Sequence, residues 1–282
     1  VKFQARQLVM GDAMSSATGL LDLVGLRNTG LFSKLLSKGW EALEEEWLAL
    51  DEKDVDNYNY VRYGRAREQA DMPKFVLEQL ARKQYHGGAI TEAEFDEGHD
   101  GMTLQDFVEH PHAKLAKLTE QHVFALRMYT SGSFPRFNRP LRDNQTPHPL
   151  KMTLYYLNEG LRKLRAVEAQ DRVQYAALKF LYRGMKDMTL DAAKFEAVGG
   201  TEMACMSTTT SKQVALKYAA SAAPLLFRYR ARGNSRGVSI RFLSLFPGED
   251  EYLYPPLTLL LSEGPPTVEH GVTVFDVSPQ MS

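Results

Sequence analysis

The feature that most limits what this chain can become is a change of hydrophobic period near residue 175. Upstream, apolar residues recur at three- and four-residue steps, as on one face of a helix; downstream they come in short runs bounded by turn residues. Helical stripes include Trp40, Leu43, Trp47 and Leu50, and Leu154, Leu157, Leu161 and Leu164 on a helix expected over Met152 to Ala166. The strand candidates are Leu178–Tyr182, Met203–Ser207, Leu225–Arg230, Val238–Leu243, Tyr252–Leu261 and Val272–Val277. Between the second and third lies one helix with Ser211 as N-cap, running Lys212 to Ala219. Helices first and strands later reads as α+β, not as an alternating parallel sheet.

Within the first stretch, Leu20 to Leu26 and Leu31 to Leu36 have helical spacing, and Asp71-Met72-Pro73 opens a helix carrying Phe75, Leu77 and Leu80. Glu44-Glu45-Glu46 is expected to be the solvated face of the Trp40 helix. Tyr58, Tyr60 and Tyr63, beside Arg62 and Arg65, are expected to form a packed aromatic face. His86 to Gly101 is polar and Gly-punctuated, hence a loop; a helix follows from Thr103 to the break at His110-Pro111-His112. Gln121 to Tyr129 reads as an amphipathic helix, Ser131-Gly132-Ser133 as its end, and the Pro-rich run from Arg139 to Leu150 as a loop. His110, His112 and His122 lack a fourth ligand at metal spacing, so no metal site is expected.

Charge divides the chain differently. The formal net charge is only -1, but residues 1–116 hold 13 basic and 20 acidic side chains, a balance of -7, and residues 117–282 hold 21 and 15, a balance of +6. The near-neutral whole argues against a generally basic nucleic-acid binder, and the step suggests regions with different tasks. No apolar run approaches the ~20 residues needed to span a bilayer. Cys205 is the single cysteine, which excludes an internal disulfide and fits a reducing, cytoplasmic compartment. The first residue is Val1, so the sequence is expected to be a fragment, which leaves open whether targeting segments were removed.

Three polar features accompany the strands. Arg183 follows an apolar run and precedes Gly184; Ser207-Thr208-Thr209 ends a strand before the capped helix; Glu249-Asp250-Glu251 follows the turn Phe246-Pro247-Gly248 and leads into Tyr252-Leu253-Tyr254. In an extended segment Glu249 and Glu251 would project to one face, about 7 Å apart, where one could stabilise a developing cation and the other receive a basic acceptor. Taken singly, each has a plain alternative: a surface-paired arginine, a strand-to-helix junction, an acidic turn in solvent.

In this order these residues resemble the R-S-E class of mono-ADP-ribosyltransferases, the arginine-specific and cholera-toxin-like group. The pattern has an Arg on the first core strand, here Leu181-Tyr182-Arg183-Gly184, then Ser207-Thr208-Thr209 before a helix, then Glu249-Asp250-Glu251 before an apolar strand. Ala125-Leu126-Arg127-Met128-Tyr129-Thr130 with Phe137-Asn138-Arg139-Pro140-Leu141-Arg142 resembles the family's helical lobe. The resemblance covers roughly residues 117–277 and implies a helical N-terminal region, 1–116, of unknown role, followed by a catalytic domain, 117–282. That domain would comprise a helical lobe, 117–175, and a split β-sheet core, 176–282. It implies NAD as co-substrate and transfer of ADP-ribose to arginine. Glu251 would be the catalytic glutamate, Glu249 the residue facing the guanidinium, Ser207 the holder of the nicotinamide ribose, and Arg183 a contact to the pyrophosphate or neighbouring ribose. Thr208 and Thr209 would support the strand end, and the Gly184 backbone would approach the nicotinamide amide. Basic residues 117–282 would then attract the anionic dinucleotide, with residues 1–116 as an acidic partner region. Two other readings remain open: an NAD glycohydrolase with water as acceptor, and a silent binding module on the same fold.

Overall fold

The computed structural model describes residues 8–10, 19–64, 95–99, 101–170, 178–188, 190–230 and 235–281. The helix expected from Asp71, Arg65, and residues 86–94 and 100 of the polar stretch lie outside the described residues. By packing, the chain divides into two compact units. One takes Leu20–Val167 and Ile240–Gly248; the other takes Val1–Gly19, Glu168–Ser239 and Glu249–Ser282. The charge step at residue 116 falls within the first of these.

The helical unit is built from α1 (Gly19–Leu23), α2 (Thr29–Lys38), α3 (Trp40–Leu48), α4 (Glu52–Tyr63), α5 (Leu104–Glu109), α6 (Pro111–Leu115), α7 (Glu120–Thr130), α8 (Phe134–Arg142) and α9 (Lys151–Glu168), apart from end residues Gly19 and Glu168. Its centre is α7. Every residue from His122 to Thr130 is buried, so this helix is covered on all sides rather than amphipathic as expected. Helices α4, α5 and α8 and the 3-10 turn Arg241–Leu243 pack around it. Trp47 lies edge-on to Phe124 and against Phe137, and its indole N–H donates to Thr153 Oγ1 at 3.1 Å.

The acidic triplet of α3 departs from the expected solvated face. Glu44 accepts from the Tyr58 hydroxyl at 3.2 Å, Glu45 pairs with Lys38 at 2.5 Å, and Glu46 caps α9. Its two oxygens accept from Met152 N at 2.8 Å and Thr153 N at 3.0 Å, satisfying backbone groups that α9 itself leaves without partners. Burial raises the Glu46 carboxyl to about 7 against the pull of those N–H groups. The expected loop from Arg139 begins only after Arg142, because α8 runs through Pro140. Of the tyrosines, Tyr58 is packed in the core and Tyr63 is exposed, with Arg62 over the Trp40 ring at 4.0 Å.

Among the described residues the sheet unit holds ten strands: β1 (Leu8–Met10), β2 (Phe180–Met185), β3 (Gly200–Glu202), β4 (Met206–Thr209), β5 (Leu225–Arg230), β6 (Val238–Ser239), β7 (Glu251–Tyr254), β8 (Thr258–Ser262), β9 (Thr267–Glu269) and β10 (Val272–Gln280). Their order is β1-β3-β8-β10-β5-β2-β4-β7-β6, with β9 on β10. Only one register pair, Tyr182 opposite Thr209, joins β2 to β4. Seven strands, β9 included, thus lie on one side of a weak seam and three on the other, the split sheet the resemblance implies. Helix α10 (Ala192–Val198) adds Phe195 to a core with Leu181, Phe227, Tyr229 and Phe275, while α11 (Lys212–Ala219) covers Leu226 and Val274 through Ala215.

Several strand limits move. Arg183 and Gly184 lie inside β2, and Thr208 and Thr209 inside β4. The run Tyr252–Leu261 is two strands, since Pro255-Pro256 separates β7 from β8 and neither proline can donate to a ladder. Val238–Leu243 is a two-residue strand followed by the 3-10 turn. Strands β1, β3 and β9, three residues each, carry too little pattern to be read from sequence.

Candidate active site

Antiparallel pairing of β4 with β7 sets the geometry. Thr209 stands opposite Glu251, and Ser207 opposite Leu253. Residues directly opposite share a face, and alternate residues along a strand share it too. Ser207, Thr209 and Glu251 therefore project from one face of the pair, with Ser207 and Glu251 as diagonal neighbours. Both are half-buried. Thr208 points the other way and donates its hydroxyl to Tyr252 O at 2.8 Å, fastening the two strands together.

The acidic triplet is not the extended segment that alternation assumed. Pro247–Glu249 forms a 3-10 turn, Asp250 has φ 46°, and only Glu251 enters β7. A left-handed Asp is tolerated because its short polar side chain can hydrogen-bond locally; here the Thr210 hydroxyl donates to its carboxylate. Thr209 Oγ1 donates to Glu249 O at 2.7 Å and accepts from Ser211 N at 3.1 Å. Tyr218 OH donates to Glu249 Oε1 at 2.8 Å. The polar run 207–211 and the helix after it thus hold the turn by backbone and by side chain.

Helix α11 is itself fixed from below. Ser211 Oγ caps it, accepting from Val214 N at 3.3 Å. A Cβ at Gly184 would fall 1.8 Å from Ala215 O and 2.7 Å from Ala219 N, so β2 and α11 meet backbone to backbone. The close approach that glycine permits at position 184 is made by the protein's own helix.

Arg183 alternates with Leu181 and Met185 and so leaves β2 on the core side. It donates to Ser207 O at 3.3 Å, and its Nη2 lies 3.7 Å from Oε2 of Glu202, a carboxylate 2% exposed. Arg183 therefore reaches the cluster through the main chain of the serine strand. Glu202, Thr210 and Tyr218 are functional-site neighbours that the sequence reading did not single out. For Tyr218 a signal existed: it lies seven residues after the Ser211 cap, two helical turns along the same face.

The histidines have other occupations. His110 Nδ1 accepts from His112 N at 3.3 Å and its ring stacks on Phe242, while His122 Nδ1 accepts from Thr119 N at 3.0 Å. Among the described residues no group of three or more His, Cys, Asp or Glu is placed to hold a metal ion, and no helix is long and apolar enough to cross a membrane.

The shared face thus offers the Ser207 hydroxyl and the Glu251 carboxylate, with the Glu249 and Asp250 carboxylates in the adjoining turn. Among solved structures, the chain is similar to the ADP-ribosyltransferase HopU1 of Pseudomonas syringae pv. Tomato DC3000, at 21% identity over 64% of this chain and 88% of that one, TM-score 0.48. It is similar to the eucaryotic mono-ADP-ribosyltransferase ART2.2, at 18% identity over 90% of this chain and 89% of that one, TM-score 0.48. A third is C3stau2 from S. aureus, solved with NAD, at 16% identity over 64% and 95%, TM-score 0.46. No curated protein sequence matches significantly. The sequence profile described as NAD:arginine ADP-ribosyltransferase matches residues 33–264, and the chain belongs to that family of transferases, with NAD as co-substrate.

Proposed function

We propose that this chain is an R-S-E-class enzyme that moves one ADP-ribose from NAD to the guanidinium of an arginine. The observation that carries the reading is the β4–β7 register, which puts Ser207 and Glu251 on one face beside a fixed acidic turn. Breaking the nicotinamide–ribose bond builds positive charge on the ribose, as in glycoside cleavage. Glu251 would accept from a ribose hydroxyl and stabilise that charge as it grows. Ser207 would hold the same ribose and keep Glu251 oriented, with Thr208 and Thr209 locking the strands beneath. Arg183 would serve the dinucleotide's phosphate side while holding Ser207's main chain, and the Gly184 backbone would lie near the nicotinamide amide.

Arginine as acceptor rests on Glu249. A guanidinium is planar, cationic and a poor nucleophile while protonated, so its partner must both bind it and help remove a proton. A carboxylate does both, and Glu249 is held two residues before Glu251. Incubation with NAD and agmatine tests this directly. ADP-ribosyl-agmatine is the expected product; free ADP-ribose alone would favour the glycohydrolase reading, and untouched NAD a silent binding module.

A further inference from the structure

We propose that Tyr218 is a positioning residue that selects the guanidinium acceptor by fixing Glu249. The inference rests on the reading above that Glu249 receives the acceptor, and it assigns the residue that makes that carboxylate directional. Glu249 sits at the end of a 3-10 turn, where its flexible side chain has several rotamers to choose from. Thr209 fixes only its carbonyl. The Tyr218 hydroxyl, 2.8 Å from Oε1, fixes the carboxylate itself. A hydroxyl donor orients a carboxylate without cancelling its charge, so the group remains an attractive partner for a cation.

Placement of the tyrosine is rigid from its backbone outward. It belongs to α11, whose start is capped by Ser211 and whose Ala215 and Ala219 press against Gly184 of β2. Yet the residue is 36% exposed, so Tyr218 is not a core residue retained for packing. An aromatic ring beside a carboxylate is also a recognised setting for a guanidinium, which stacks on the ring while donating to the acid. The chain of support therefore runs from Gly184 through α11 and Tyr218 to Glu249.

The test compares the parent chain with Tyr218→Phe and Tyr218→Ala, each with NAD and agmatine, scoring the ratio of agmatine adduct to free ADP-ribose. A ratio does not depend on the fraction of active protein, so partial misfolding does not confound it. Loss of a hydrogen bond to a charged group predicts about a tenfold lower ratio in Tyr218→Phe, with raised agmatine KM, and a larger fall in Tyr218→Ala. In a Glu249→Gln background, Tyr218→Phe should add little, since both act through one carboxylate. Adduct formation by the parent with ratios within twofold in both variants would overturn the Tyr218 assignment alone. No adduct from the parent would overturn the guanidinium reading and this inference with it.

Discussion

The Asp54 and Asp96 carboxylates of the helical unit and those of the acidic turn in the sheet unit are gripped by different kinds of donor. In the helical unit Asp96 meets Arg127 Nη2 at 2.9 Å, His99 Nδ1 at 2.8 Å and the Tyr60 hydroxyl at 2.9 Å. Asp54 likewise takes Arg136 Nε at 2.8 Å. Burial pushes Asp96 up, but Arg127 and His99 more than offset this and hold its carboxyl below the usual range. In the acidic turn of the sheet unit, the Glu249 and Asp250 carboxylates are held by the hydroxyls of Tyr218 and Thr210. A cation neutralises what it holds, whereas a hydroxyl only aims it. The first arrangement builds scaffold; the second keeps negative charge where the proposed function puts a cationic acceptor and a cationic transition state.

The scaffold role of the Asp96 cluster is visible in what else it touches. Arg127 stacks over Phe107 at 3.9 Å and donates to Leu243 O at 3.1 Å, while Asp96 N donates to Leu245 O at 2.9 Å. Leu245 N in turn donates to Thr130 Oγ1 at 3.1 Å. Three bonds thus tie the segment 240–248 into the helical unit and keep these buried backbone groups satisfied.

The contrast can be broken at either end. The largest stability effect is expected from Asp96→Asn, which leaves the 3%-exposed Arg127 charged and unpaired. It should cost about 3–5 kcal/mol in urea unfolding, and a loss below about 1 kcal/mol would mean the pair is not structural. Next comes Gly184→Ala, where the added methyl meets backbone that cannot swing aside. Overpacking of this kind costs about 1–3 kcal/mol, and the adduct-to-hydrolysis ratio should fall with it as α11 carries Tyr218 away. Smallest is Thr210→Val, which removes one hydroxyl grip on the half-buried turn. About 0.5–1.5 kcal/mol of stability should go, far less than at Asp96; an equal loss at both sites would erase the distinction.

Much of the fold was legible because period and punctuation are local. The change near residue 175, the Ser211 cap and the α9 stripe all depend on residues close in sequence. What escaped depends on partners far away. Glu46 looks solvated beside Glu44 and Glu45, and only the start of α9, 106 residues on, shows it to be a cap. That Gly184 must lack a side chain to let α11 pass is likewise shown only by Ala215, 31 residues on. Within the acidic turn, Pro247-Gly248 announced a bend, but the left-handed Asp250 that removes the alternation of Glu249 and Glu251 has no signal in a single sequence. The order Arg183, Ser207, Glu251 carried the resemblance; the register that puts Ser207 and Glu251 on one face came from the ladder.

The most direct measurement is single-turnover cleavage of NAD by the parent and by Glu251→Gln, with NAD binding titrated in both. Glutamine keeps the shape and loses the charge, so cleavage should fall about 10²–10³-fold while NAD still binds. A Glu251→Gln protein that binds and cleaves NAD within threefold of the parent would contradict the assignment of Glu251, and with it the role of the acidic turn.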